Sequence, residues 1–359
     1  MPASTARKPH DEDMTEYPPG SPLLPRSSYV HEVKARLPAG AFEPARSRIA
    51  FLFAYLAIVV GAILAIARHW VPWAVVPALS IVIGAGFAGL TFVAHEALHG
   101  GIVRGKRLQY AIGLLCFAPF FLSPRMWIGW HNRTHHANTN REDDPDGYAT
   151  LERYEARAST RFSVDAFSLG GRRWRGALSL ALGFTVQSVD QLFSAETRRF
   201  LDHRASRYAF LETAAYLAGW GVLAAFVGFV PFLFVFVLPL LIANACVMAF
   251  ILTNHSLSPK VAIDDPLISG LSVTTPRWLQ WLSLGFGFHV EHHLFPAMST
   301  RHAPSVRDLL VEKWPERYQS MPLAGALRKL HTTARVYKDA TTLYDPMTGA
   351  EFTTLLPRA

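Results

Sequence analysis

Cysteine and charge are what this chain has least of. Only two cysteines, Cys116 and Cys246, occur in 359 residues, and both lie inside apolar stretches. They support no disulfide framework, and neither has the CxxC spacing of a redox or zinc pair. Charged residues make up 17% of the chain against 50% hydrophobic, too few for an ordinary soluble surface. The deficit is concentrated. Residues 49–94 carry one charge, Arg68, and residues 208–259 carry one, Glu212, which excludes a soluble domain there and reads as membrane segments. An early apolar run behind a basic start is also missing, so no cleavable signal peptide is expected. Internal repeats and low-complexity tracts are absent as well.

Four stretches have roughly the 20 apolar residues that cross a hydrocarbon core: about 49–67, 71–94, 209–230 and 231–253. The first pair is joined by little more than Arg68, His69 and Trp70, and the second pair by Gly228, Phe229, Val230 and Pro231. The expectation is an all-α membrane protein with four transmembrane helices in two hairpins. Of the 35 lysines and arginines only Arg68 lies on the side of the short turns, so the positive-inside rule puts both termini and the middle segment in the cytoplasm. The net charge of +8 then describes a face toward anionic headgroups or an acidic partner. Nucleic acid is not expected, because no binding motif accompanies the charge.

Residues 1–45 are expected to be a polar, disordered cytoplasmic arm, residues 46–310 a membrane domain with a helical cytoplasmic cap, and residues 311–359 a cytoplasmic tail. Leu108 to Leu122 is apolar but short and contains Pro119, which predicts a re-entrant or interfacial segment. Residues 178–193 predict an amphipathic helix lying at the membrane surface.

What the chain has in excess is clustered histidine. Eight of its 15 histidines fall in HEALH (His95, His99), HNRTHH (His131, His135, His136) and HVEHH (His289, His292, His293), each where apolar sequence gives way to polar. Imidazole is the commonest nitrogen ligand of transition metals, and eight are too many for one tetrahedral zinc. Two metals against a membrane are therefore expected. His95 and His99 are four apart and share a helical face. His131 and His135 repeat that spacing, with His136 turned about 100° away toward a second metal or a neighbouring helix. His289 shares a face with both His292 and His293. Scattered histidines (His10, His31, His69, His203, His302 and His331) are expected to be ordinary polar residues.

HEALH is also literally H-E-x-x-H, the zinc-protease helix with glutamate as general base. An intramembrane zinc protease using Glu96 is thus a rival, although it leaves HNRTHH and HVEHH unexplained, and no distal Asn/Asp-containing span motif accompanies it. One zinc per chain would support the protease, and two irons would exclude it.

The order H-x3-H, H-x3-H-H, H-x2-H-H around membrane segments resembles the membrane fatty acid desaturases. HVEHHLFP (His289 to Pro296) is similar to that family's third box, and WHNRTHHANTNREDDPD (Trp130 to Asp146) to its second. The resemblance covers roughly residues 50–310. It implies a cytoplasmic cap carrying the boxes, two iron ions, O2 as co-substrate, and desaturation of a fatty acyl chain presented as a membrane lipid or acyl thioester. His289 stands where front-end members have glutamine, and the HPGG of a fused cytochrome b5 is absent. A separate electron-transfer protein of ferredoxin or cytochrome b5 type is therefore implied. His255 matches the family's ninth histidine, near the end of the fourth span. Asn254 would hold a metal-bound water. Glu96, Glu291, Asp143, Asp144 and Asp146 would be partners for ligand N–H groups. Trp127, Trp130, Trp278 and Trp281 would line a substrate entry or an interfacial aromatic belt. A hydroxylase or ketolase acting on alkane, sterol or carotenoid shares the oxidant and is the nearer rival. The lack of a targeting sequence favours a bacterial inner membrane.

Overall fold

The computed structural model describes residues 22–333 and 335–358. Four helices, Arg46–Ala67, Trp73–His99, His203–Val227 and Phe229–His255, are long and apolar enough to cross a membrane. In chain order the elements that matter are α1 (Arg26–Lys34), α2 (Ile49–Ala67), α3 (Val76–His99) and α4 (Lys106–Cys116). Then come α5 (Gly176–Phe193), α6 (His203–Val227), α7 (Phe229–His255), α8 (His289–Leu294), α9 (Ala303–Lys313) and α10 (Leu323–Thr332). Short strands lie among the segments outside the four long helices. Ser272–Thr274 pairs parallel with Ser320–Pro322, and Val336–Tyr337, Thr342–Tyr344 and Glu351–Thr353 form an antiparallel sheet.

Helix α3 is the spine, packed on α2 and on α7, and glycine makes both approaches close. A Cβ at Gly89 would stand 2.5 Å from the Tyr55 ring of α2, and one at Gly84 would stand 2.8 Å from Ile242 of α7. Small residues at such crossings let helix backbones approach where lipid supplies no hydrophobic drive. Tyr55 then donates its hydroxyl to the Leu282 carbonyl at 2.6 Å, tying α2 to the segment before the third histidine cluster.

The apolar stretch expected to be re-entrant does not form a spanning helix. Helix α4 has 11 residues, about half of what a span needs, and a turn through Pro119 follows it. The carbonyls this leaves free are taken by α6. Thr213 donates to Phe121 O at 2.9 Å, Tyr216 to Leu114 O at 2.8 Å, and Trp220 Nε1 to Ala118 O at 2.9 Å. Irregular backbone at this depth is tolerable because neighbours satisfy it in this way.

The arm expected to be disordered is ordered from residue 22 on, and residues 1–21 lie outside the described residues. Its polar composition conceals Tyr29 and Val33, one turn apart on α1, which join Val290, Leu294, Val306 and Leu310 in a separate apolar cluster. Asp265 fixes the arm. It accepts from Tyr29 OH at 3.0 Å, from Leu24 N at 2.8 Å and from Arg317 at 2.6 Å. The C-terminal tail is folded too, with Leu355 N donating to Leu257 O at 2.8 Å and Lys260 N to Ala340 O at 2.9 Å.

Replacing Gly89 with valine should force α2 and α3 apart, costing about 1–3 kcal/mol as overpacking does. It should lower the thermal midpoint of the detergent-purified protein. Gly61→Ala, at a position with nothing within 4 Å, should leave that midpoint unchanged or slightly higher.

Candidate metal centre

Each histidine cluster arrives on a differently built element. His95 and His99 occupy the last turn of α3, which Gly100 ends in a left-handed cap at φ 92°. HNRTHH begins after Ser123, whose Oγ accepts from Arg125 N at 3.1 Å and starts a short helix at Pro124. That helix continues as a π-helix over Ile128–His135. HVEHH forms α8, six residues long and buried throughout. His255 is the last residue of α7.

These elements bring all nine histidines of the expected set together. His95, His99, His131 and His292 form one group, and His135, His255, His289 and His293 form a second, with ligand atoms within 4.8 Å of one another in each. Nitrogens bound to one ion at about 2.0–2.1 Å sit roughly 3–4 Å apart, so each group is sized to close on one metal. His136 lies between the groups. Its Nε2 is 3.2 Å from His292 Nε2, and its ring stacks on His293 with centroids 4.3 Å apart.

The division differs from the one the helical spacing predicts for the second cluster, where His131 and His135 go to different groups of four. Their rings still stack at 5.1 Å, the two form a further group with Asp146, and His131 and His136 stand 4.8 Å apart. In α8, adjacent His292 and His293 diverge as successive helical residues do.

The donor set fits metal. His95, His99, His131 and His293 each have a buried Nε2 without a hydrogen-bond partner, and Asn254 Oδ1 is likewise buried and unpaired. Buried polar atoms are normally satisfied, so a cluster of such orphans asks for a ligand. Burial holds His131, His136, His289, His292 and His293 well below the usual histidine pKa, which keeps them in the neutral form that binds metal.

From behind, three rings are aimed by their Nδ1 atoms. His135 Nδ1 meets Asp144 Oδ1 at 2.8 Å, His255 Nδ1 meets the Ser269 carbonyl at 2.8 Å, and His293 Nδ1 meets Thr139 Oγ1 at 3.1 Å. Burial disfavours charge on His135, but Asp144 and Asp146 outweigh it and raise its pKa. Burial likewise disfavours a charged Asp144, but His135 prevails and holds that carboxyl below its ordinary value. Asp144 is itself fixed by the Asn140 N–H at 2.7 Å and the Asp146 N–H at 2.9 Å. Asp146 accepts from Trp130 Nε1 at 2.8 Å and from Gln187 of α5 at 2.7 Å, and stands 3.5 Å from His135 Nδ1.

Several expected partners are elsewhere. Asp143 is exposed. Glu96 hydrogen-bonds Arg48 at 2.6 Å, Ser299 at 2.5 Å and the Thr300 N–H at 3.2 Å. Glu291 takes the hydroxyls of Ser272 at 2.6 Å and Tyr318 at 2.5 Å. Neither glutamate bonds a histidine, because oppositely placed polar residues claim their oxygens. The four tryptophans also divide. Trp127 stacks on His131 at 4.0 Å and Trp130 is buried, while Trp278 and Trp281 are 63% and 65% exposed. Sequence reasoning missed Thr139, Gln187 and the Ser269 carbonyl, and also Phe286, whose ring lies 4.8 Å from that of His95. Only Thr139 had a signal, since it sits inside the second box. The other scattered histidines that are described lie outside both groups, and His10 lies outside the described residues.

Comparison with known proteins gives the same direction. The chain is 25% identical over 324 residues to the sn-1 acyl-lipid omega-3 desaturase (ferredoxin) of Synechocystis sp., covering 84% of this chain and 86% of that one. It is 22% identical to the sn-1 oleoyl-lipid 12-desaturase of Arthrospira platensis, over 73% and 75% of the two chains. It is also 22% identical to the chloroplastic omega-6 fatty acid desaturase of Spinacia oleracea, of which it spans 60%. The model of the fatty acid desaturase family matches residues 69–323, a stretch that contains both histidine groups. The chain belongs to the fatty acid desaturase family.

Proposed function

We propose that this chain introduces a double bond into a fatty acyl chain, with its nine clustered histidines holding two iron ions. The observation that carries this is the separation of those histidines into two four-membered groups with orphaned nitrogens. When bound, the irons would supply the oxygen chemistry. One O2, two electrons and two protons are consumed as two hydrogens leave adjacent methylenes, giving a carbon–carbon double bond and two waters.

The chain's own residues do the rest. His95, His99, His131 and His292 hold one ion, and His135, His255, His289 and His293 the other, with His136 between them. Asn254 holds a water through its free Oδ1. Asp144, the Ser269 carbonyl and Thr139 fix the tautomers of the second group, so that Nε2 faces inward. Phe286, with Phe92 and Phe250 at 4.9 and 5.8 Å from it, excludes water beside His95. Desaturation is favoured over hydroxylation by the relatives, which are named as desaturases. The Synechocystis relative names an acyl-lipid and ferredoxin, which favours a membrane lipid as substrate and a ferredoxin-type donor here. The zinc-protease alternative is disfavoured because both oxygens of Glu96, its required base, are already taken by Arg48, Ser299 and Thr300. Both ends of the described chain pack beside the histidines, α1 through Arg26 to Leu294 O and the tail through Leu355 to Leu257. This supports termini on the side of the boxes, the cytoplasmic one.

His135→Ala should abolish new double bonds in the lipids of an expressing host and lower iron from two per chain toward one. Full activity with unchanged iron would refute the ligand assignment. Asp144→Asn should weaken iron binding or activity by about 10–100-fold, as loss of a supporting carboxylate does, while His302→Ala leaves both unchanged. Glu96→Gln should keep both irons. Hydroxylated acyl products in place of alkenes would overturn the desaturase assignment, and one zinc per purified chain would overturn the iron site.

A further inference from the structure

On the opposite flank of the cap, the loop before α5 reads Arg172-Arg173-Trp174-Arg175. Its backbone is tied to the end of α10 by Gly171 N to Thr333 O at 2.7 Å and Arg172 N to His331 O at 2.8 Å. Between this loop and α10 lies an open surface groove of about 380 Å3. Leu169, Leu180 and Leu327 line it, and Arg173, Trp174 and Arg328 stand around it.

Its arginines are short of partners. Arg173 has a buried Nη1 with no hydrogen bond. The nearest carboxylate, Asp165, stands 3.9 Å from it and is held at 3.1 Å by Arg335. Arg328 is exposed and makes no ion pair among the described residues. An arginine with an unmet donor and a second, exposed arginine at one groove offer a phosphate charge-assisted hydrogen bonds.

Position supplies the other half. One face of α5 packs on α7, where Thr185 N donates to Asn244 Oδ1 at 2.9 Å. Leu178, Val186, Val189 and Phe193 remain exposed on α5, at 37%, 40%, 38% and 73%. That free apolar face of α5 adjoins α7, a helix long and apolar enough to span, as a face turned to lipid would. Trp174, 78% exposed, and the arginines mark its N-terminal end, as aromatic and cationic anchors mark a membrane interface.

We propose that this cleft binds an anionic phospholipid, its phosphate held by Arg173 and Arg328 and one acyl chain laid along Leu169, Leu180 and Leu327. The site is separate from both histidine groups and does not depend on the desaturase assignment.

Native mass spectrometry of the full chain purified in detergent tests it, with phosphatidylglycerol and phosphatidylcholine of matched acyl chains as probes. Phosphatidylglycerol should be retained selectively. Arg173→Gln with Arg328→Gln should weaken its retention about 30-fold, at about fivefold for each arginine. Arg173→Lys with Arg328→Lys should keep most of the selectivity, which separates loss of charge from loss of fold. Leu180→Trp should reduce retention by filling the chain's path, and millimolar inorganic phosphate should not displace the lipid. Equal retention of the two lipids, unchanged selectivity in the glutamine variant, or displacement by phosphate alone would overturn the proposal. So would a glutamine variant that keeps its lipid but loses turnover with an acidic electron donor, which would assign the patch to a protein partner.

Discussion

The structure depends on confining nine imidazoles in one dry volume while keeping one nitrogen of each ring directed inward. A neutral imidazole has one donor and one acceptor nitrogen, and some adjacent rings do meet, His289 Nε2 with His255 Nε2 at 2.5 Å and His292 Nε2 with His136 Nε2 at 3.2 Å. Three rings, those of His135, His255 and His293, are held from behind by groups that engage their Nδ1 atoms. Asp144 is clamped by two backbone N–H groups, Ser269 contributes a carbonyl, and Thr139 contributes a hydroxyl one turn after His135. Each fixes a tautomer as well as an angle, which is what a ring needs in order to serve as a metal ligand. The membrane helices provide rigidity and exclude water, but the aiming groups come mostly from the connecting segments.

Those connecting segments need holding in turn. Helix α8 is only six residues long and could not persist alone. Glu291 anchors its far side through Ser272 and Tyr318, and Arg26 of α1 reaches the Leu294 carbonyl at its end at 3.2 Å. Asp265 then joins three distant parts of the chain, the arm at Leu24 and Tyr29, the loop after α7, and Arg317 after α9. One buried carboxylate with three hydrogen bonds is stable where an unpaired one would not be. The N-terminal arm is therefore part of the scaffold of the third histidine cluster.

Hydropathy made the four long helices legible and spacing the eight clustered histidines, because both signals are local and periodic, whereas His255 came only from the family resemblance. The partner of each histidine was less so. His131 and His135 stack on one face yet go to different groups of four, and nothing in HNRTHH announces that division or the π-helix that carries it. Asp144 and Asp146 were visible as neighbours of the second box, whereas Gln187 and Ser269 come from segments more than 40 and 120 residues away from it. The arm was misjudged for a related reason. Two apolar residues, Tyr29 and Val33, are a weak signal in a proline-rich polar stretch, and their burial depends on a surface built by residues near 290–310.

HEALH shows where local sequence stops being decisive. Its letters suit a zinc protease and a histidine-ligated metal pair equally, since both place two histidines four apart on one helical face. The glutamate between them separates the two chemistries, and its role is set by residues 48, 299 and 300. Arg48, at the start of α2, occupies one carboxylate oxygen, while Ser299 and the Thr300 N–H, just beyond the third box, occupy the other. Held this way, Glu96 cannot serve as a mobile base. It ties the beginning of one spanning helix and the exit from the third box to the end of α3. The same five-residue motif has become a structural joint beside the candidate metal site, and the partners that made it so lie at least 48 residues away in sequence.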